Sequence, residues 1–102
     1  MDPIDDFTEA VLDVVERIPP GKVMAYGDIA EYLGVGGPRQ VGRVMALHGG
    51  AVPWWRVVHA DGTPALADDG RAVAALREDD TPMRGDRVDM RRARWDGDVQ
   101  SR

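Results

Sequence analysis

Between Ile4 and Ile18 the apolar positions recur at steps of three and four: Ile4, Phe7, Val11, Val14, Val15 and Ile18. That spacing puts them on one stripe of a helix, predicted over residues 2 to 18. Asp2 can cap its start, Pro3 suits the first helical position, and Asp5 and Asp6 complement the positive end of the helix dipole. Pro19, Pro20 and Gly21 stop it. Lys22 to Met24 reads as a short extended piece. A second helix follows over Tyr26 to Leu33, with Ile29, Ala30 and Leu33 inward and Gly34 as terminator.

Val35, Gly36 and Gly37 form a tight turn into a third helix, which runs from Gly37 to Leu47 and is opened by Pro38. Val41, Val44 and Met45 share its apolar side, while Arg39, Gln40 and Arg43 share the other. Gly42 leaves room for a close approach, and Gly49 and Gly50 end the helix. Helix, short glycine turn, helix is the helix-turn-helix pattern.

Downstream, Pro53 to Val58 is predicted to be extended, and Asp61-Gly62 to turn. A fourth helix is expected from about Arg71 to Asp79, capped by Asp68 or Asp69, with Val73 and Leu76 inward. Met83, Val88 and Met90 around Gly85-Asp86 suggest a final hairpin, with Trp95 plugging the core. Asp96 to Arg102 has nothing to bury and is expected to be a mobile tail.

A chain of 102 residues is one small domain, expected here over 1–95 with the tail at 96–102. Its net charge of −5 argues against a uniformly basic nucleic-acid binder. The charge is unevenly spread, however, and between Glu31 and Asp61 there is no Asp or Glu. With no cysteine, disulfides, thiolate zinc sites and thiol nucleophiles are excluded. His48 and His59 are too few for a metal cluster, and each is expected to face solvent or be satisfied locally. The acidic, amphipathic start is neither a signal peptide nor a membrane span, so a cytoplasmic protein is expected.

Two short helices around glycines also occur in proteins that bind nothing, so the pattern alone leaves DNA binding and a plain helical corner open. The acid-free window favours DNA, because a phosphate backbone repels carboxylates and attracts Arg39, Arg43 and Arg56. Trp54 and Trp55 sharpen the point. Neighbours in an extended segment face opposite ways, so one of them should line a cavity or surface, where an indole can stack on a base. The run Arg91-Arg92-Ala93-Arg94 can touch phosphate, though a solvated strand edge is the plainer expectation.

Three motifs then stand in order: Pro20-Gly-Lys-Val-Met-Ala-Tyr-Gly-Asp-Ile-Ala30, Arg39-Gln-Val-Gly-Arg43 and Pro53-Trp-Trp-Arg-Val-Val58. Together they resemble the DNA-binding domain of O6-alkylguanine-DNA alkyltransferases, from about Phe7 to Trp95. Those enzymes carry Pro-Cys-His-Arg-Val at the last motif, and the cysteine takes the alkyl group. Trp54 at that position is the mark of the alkyltransferase-like proteins.

The resemblance implies an α-dominant α+β fold, a winged-helix-like helix-turn-helix domain with a small β part. It also implies a non-enzymatic sensor, without catalytic residue, cofactor or metal, that binds double-stranded DNA containing O6-alkylguanine through the minor groove and flips the base. Arg39 would fill the gap in the duplex and Tyr26 would press on the backbone. Thr8, Gly27, Pro38, Gln40, Gly42 and Arg43 would lie at the DNA. Trp54 and Tyr26 would line the lesion pocket, with Arg56 bracing the segment behind it. Nucleotide excision repair proteins are the implied partners, the protein is expected to be a monomer, and no membrane is involved.

Two positions depart from the family. Trp55 replaces its histidine, and Ala67 stands where alkyltransferase-like proteins place a lesion-contacting arginine, so Arg71 substitutes only if the loop is shifted. Two rival readings remain: a regulator reading sequence through Arg39, Gln40 and Arg43 in the major groove, and a transferase using His59 or Tyr26 as acceptor.

Overall fold

The structure is a computed structural model that describes residues 5–65 and 70–97. Helix α1 spans Asp6–Arg17, later than the expected start, because Asp5 is the cap: its carboxylate accepts the Thr8 N–H at 2.8 Å. The expected cap Asp2, together with Pro3 and Ile4, lies outside the described residues. The predicted stripe is otherwise the buried one, with Val11, Val14, Val15 and Ile18 in the core and Phe7 packed against it.

Strand β1 (Met24–Ala25) leads directly into α2 (Tyr26–Leu33), and α3 (Pro38–His48) follows across the glycine turn. That turn is sterically tight. Gly36 has φ +76°, and a Cβ there would meet the Phe7 ring at 2.9 Å, so the approach of α1 to the turn requires glycine. Val41 and Val44 of α3 pack on Ile29 and Ala30 of α2 and on the α1 stripe, closing a three-helix core.

The segment after α3 differs from expectation. Pro53 to Val58 is not one extended run: Trp54–Arg56 forms a 3-10 turn, closed by the Arg56 N–H on the Pro53 carbonyl at 3.1 Å, and only Val57–Val58 is strand, β2. β2 pairs in parallel with β1, Met24 opposite Val57 and Ala25 opposite Val58. This short pair separates the three-helix core from a second cluster of Val23, Val58, Leu76, Val88 and Ala93.

Helix α4 covers Arg71–Glu78, with Ala72 and Leu76 buried and Val73 half-buried. Its N-cap residue is Gly70 in the left-handed conformation; the expected caps, Asp68 and Asp69, lie outside the described residues. Strands β3 (Met83–Arg84) and β4 (Arg87–Val88) form the expected hairpin. Met90 is not part of it but opens a short helix, α5 (Met90–Ala93), so Arg91 and Arg92 are helical rather than a strand edge, while Arg94 beyond them is extended and bridges to Val23.

The chain then returns to its first half. The Val23 N–H donates to the Ala93 carbonyl and the Trp95 N–H to the Val23 carbonyl, which carries the Trp95 ring, 8% exposed, into the three-helix core. Packing continues beyond Trp95, since Gly97 is buried where a Cβ would meet the Tyr32 ring. The rest of the expected tail, 98–102, lies outside the described residues. Helix-dominant with two small sheets, the architecture is the α-dominant α+β domain expected. Among the described residues no helix is long and apolar enough to cross a membrane.

Candidate nucleic-acid interface

Helix α3 carries two working faces beside its buried one. Pro38, Arg39, Gln40 and Arg43 are exposed on the first. Gly42, Met45, Ala46 and Gly49, at the helical steps of three and four, line a cavity of about 530 Å³ on the second. Small residues dominate that second face, and they hold the helix backbone close to the cavity. Its other walls are Tyr26 from the start of α2, Trp54 from the 3-10 turn, Ala65, and Arg71 from the start of α4. The volume lies within the range of sites for small organic ligands, so one modified nucleobase can be accommodated.

Trp54 and Trp55 part company within the turn. Their rings meet edge to face at 5.7 Å and 86°, Trp54 on the cavity and Trp55 against the second core cluster. The expectation that one indole lines a cavity therefore holds, although a turn rather than a strand divides them. Trp55 Nε1–H donates to Asp79 Oδ2 at 2.9 Å.

Arg56 takes the same carboxylate with two bonds, Nε to Oδ2 at 2.8 Å and Nη2 to Oδ1 at 3.1 Å, while Nη1 donates to the Ile18 carbonyl. It ties the turn to Asp79 and to the end of α1, and it is not among the residues that line the cavity. The acid-free window is a property of the chain and not of space: the end of α4 delivers Asp79 to Arg56 from outside it.

The remaining expected site residues divide in the same way. Arg39 and Arg43 are exposed and have no carboxylate partner among the described residues. Gln40 is partly committed, since its Oε1 accepts the Gly37 N–H at 3.0 Å and caps α3; its amide N–H groups can still donate. Gly27 is half-buried, with open space where a Cβ would stand. Thr8 is buried on α1, 7% exposed, and its N–H is held by Asp5.

Tyr26 is half-buried and its ring tilts against exposed His59, centroids 5.2 Å apart. Burial pushes its phenol above the usual value, which keeps it a neutral hydrogen-bond donor at the cavity edge. Ala67 lies outside the described residues; Arg71 lines the cavity. Sequence reading placed Asp79 only as a helix end and missed its anchoring role, since no local spacing ties a helix end to a tryptophan 24 residues before it.

Comparison with known proteins gives a consistent picture. Residues 6–79 match the family model for the DNA-binding domain of 6-O-methylguanine DNA methyltransferase. A DNA base-flipping protein of Escherichia coli is 37% identical over 101 residues, covering 93% of this chain and 78% of that protein. Alkyltransferase-like protein 1 of Schizosaccharomyces pombe is 46% identical over 68 residues, 64% of this chain and 63% of that one. The fold superposes with a TM-score of 0.76 on the S. pombe alkyltransferase-like protein solved in complex with damaged DNA containing O6-carboxymethylguanine. That match is 33% identical and covers 92% of this chain and 98% of the other.

Proposed function

This chain belongs to the 6-O-methylguanine DNA methyltransferase DNA-binding family, in its alkyltransferase-like branch, and from that premise we propose that it is a non-enzymatic sensor of O6-alkylguanine in duplex DNA. Helix α3 enters the minor groove. Arg39 stacks in the space left by the flipped nucleotide, with Arg43, Gln40 and Pro38 beside it, and Tyr26 presses on the backbone at Gly27. The extruded base enters the cavity between Tyr26, Gly42 and Trp54, where Arg71 takes the place of an arginine at Ala67. Thr8 contributes by holding the end of α1 behind this surface.

The observation that carries the reading is the juxtaposition, along one short helix, of an arginine face that is exposed and has no carboxylate partner among the described residues with an indole-walled cavity. Extruding a base costs a few kcal/mol of stacking and pairing, least for damaged bases, and a planar guanidinium in the gap offsets part of that cost. The indole of Trp54 contacts the base but is a poor nucleophile, so the complex forms without a covalent bond. A bound, distorted duplex is then a mark that nucleotide excision repair proteins can recognise. We place the protein in the cytoplasm as a monomer, since one copy supplies both the arginine face and the cavity.

The test is a titration with paired duplexes that differ in a single O6-methylguanine, followed by mass spectrometry of the protein. Tighter binding to the modified duplex with unchanged protein mass is expected. Equal affinity for both duplexes, or a covalent mass gain, would overturn the proposal. Strong dependence on base sequence without dependence on the alkyl group would point to a regulator instead.

A further inference from the structure

Away from α3 and the cavity, the arginines sort into two kinds. Arg17, Arg56, Arg77, Arg87 and Arg94 each have a carboxylate within 3.4 Å. Arg84, Arg91 and Arg92 have none among the described residues, although the chain as a whole carries five more negative than positive charges. Two of these three, Arg84 and Arg91, line one groove of about 330 Å³, together with Arg87. Cations gathered in one groove without a carboxylate partner among the described residues suit an external anion.

The groove is built on a firm frame. The β3–β4 hairpin supplies Arg84 and Arg87, and the first turn of α5 supplies Arg91. The opposite wall is Ala60 and Asp61, tied to the hairpin by the Val88 N–H on the Gly62 carbonyl at 2.9 Å. Two aspartates also line the groove but do not cancel it. Asp61 is taken up by Thr63, which donates its N–H at 3.0 Å and its hydroxyl at 2.7 Å, and by Arg87 at 3.2 Å. Asp89 stands at the N-cap of α5 without a side-chain cap bond, and three arginines against two aspartates leave the groove net positive.

Its position supplies the second argument. Ala60 follows His59, and the His59 ring packs on Tyr26, the residue that opens α2 at the lesion cavity. Through Ala60 the groove thus adjoins the segment that carries His59 against Tyr26.

We infer that the groove of Arg84, Arg87 and Arg91 takes phosphates of the same duplex, on the flank of the flipped nucleotide reached past Tyr26 and His59. The inference rests on the sensor reading and extends its footprint. Phosphate contacts position a protein on DNA without reading sequence, and each one released to a cation appears in the salt dependence of binding.

The test uses the full chain, its Arg84→Gln/Arg91→Gln variant and an Arg84→Lys/Arg91→Lys variant. Each is titrated over a range of salt against two lesion duplexes, one ending close to the lesion and one extended by a helical turn on both sides. On the extended duplex the glutamine variant should lose about two units of the logarithmic salt slope, and on the short one almost none. The lysine variant, which keeps both charges, should retain the wild-type slope. An unchanged slope in the glutamine variant overturns the inference and leaves the groove to an acidic polypeptide. Equal losses on both duplexes overturn it too. The parent reading is judged separately: a wild-type protein that ignores the lesion, yet shows the length-dependent slope, would sink the sensor and keep the groove.

Discussion

The Asp79 carboxylate grips the Arg56 guanidinium with two parallel bonds across 23 residues of sequence, each side chain only 13% exposed. The same carboxylate accepts the Trp55 indole N–H, and the Arg56 guanidinium lies 5.3 Å from the Trp55 ring centroid while donating to the end of α1. Three elements thus meet at one ion pair: the residue that closes α1, the turn that presents Trp54, and Asp79, the C-cap of α4. Since α4 begins at Arg71, a single anchor sets both the Trp54 wall and the Arg71 wall of the cavity.

Removing that carboxylate leaves a mostly buried guanidinium without its counter-charge. Asp79→Ala is therefore expected to destabilise the fold by about 3 kcal/mol, the lower part of the range for breaking a buried pair. Urea unfolding followed by tryptophan fluorescence measures this. A loss no greater than that of an exposed surface pair, under about 1 kcal/mol, would show that the anchor is ornamental to stability.

The anchor also predicts an acid limb. Burial alone raises the Asp79 carboxyl, but hydrogen bonds from Arg56 and Trp55 and the Arg56 charge outweigh it, holding the group below its ordinary 3.8. A folded-state value below the unfolded one means that the stabilisation is fully present above the unfolded pKa and is lost as pH falls through the folded one. Stability from this source should be level from neutral pH down to about 4 and then decline. Asp5 and Asp61 are lowered in the same direction, chiefly by hydrogen bonds from Thr8 and Thr63, and will steepen the limb. Wild type and Asp79→Asn should differ at neutral pH and converge in acid. Parallel unfolding curves across the whole range would assign the limb to other groups.

Much of this was legible before any coordinates, and the reasons for success and failure are physical. Helix α2 occupies the predicted span because Gly34 ends it in the left-handed conformation, and Pro38 opens α3 as its fixed φ suggests. Alternation could not separate a strand from the 3-10 turn at Trp54, since that turn depends on backbone bonds from the Arg56 N–H to the Pro53 carbonyl and from the Val57 N–H to the Trp54 carbonyl. Nor could it show that Arg56 is spoken for: the absence of acids nearby in sequence says nothing of a carboxylate brought in by α4. Gln40 was assigned to the exposed face of α3, and it is there, but half of its hydrogen-bonding capacity caps the helix.

Restoring a thiol at position 54 should not restore transfer. A nucleophilic cysteine needs a neighbour that draws off its proton, and the adjacent residue is Trp55, whose only polar hydrogen is already donated to Asp79. Trp54→Cys incubated with alkylated DNA is expected to show no added alkyl mass. Efficient alkylation of that single variant would mean that another group, such as His59, can serve as the base.

Arg39 is exposed and has no carboxylate partner among the described residues, so replacing it should leave the fold intact. Arg39→Ala is expected to weaken binding to a lesion duplex by roughly 1 to 3 kcal/mol, the range for a lost groove contact or stacking support. Fluorescence from a base analogue opposite the lesion should fall in parallel, because the guanidinium holds the extruded state open. Unchanged affinity with unchanged fluorescence would remove Arg39 from the mechanism.

Gly42 separates stability from recognition more cleanly than any charged residue. It lies inside α3, where glycine is less favourable than alanine by roughly 0.5 to 1 kcal/mol, and a Cβ there would stand 3.9 Å from the Tyr26 ring, an ordinary contact. On these grounds Gly42→Ala should raise the unfolding midpoint. The new methyl, however, projects at the cavity wall between Tyr26 and Met45, where the extruded base must enter. Lesion affinity should fall several-fold while affinity for unmodified duplex barely changes, and bulkier O6-alkyl groups should suffer more than methyl. If the alanine variant were more stable and bound every lesion as before, the base would have to be lodged elsewhere, and the cavity beside α3 would lose its assigned role.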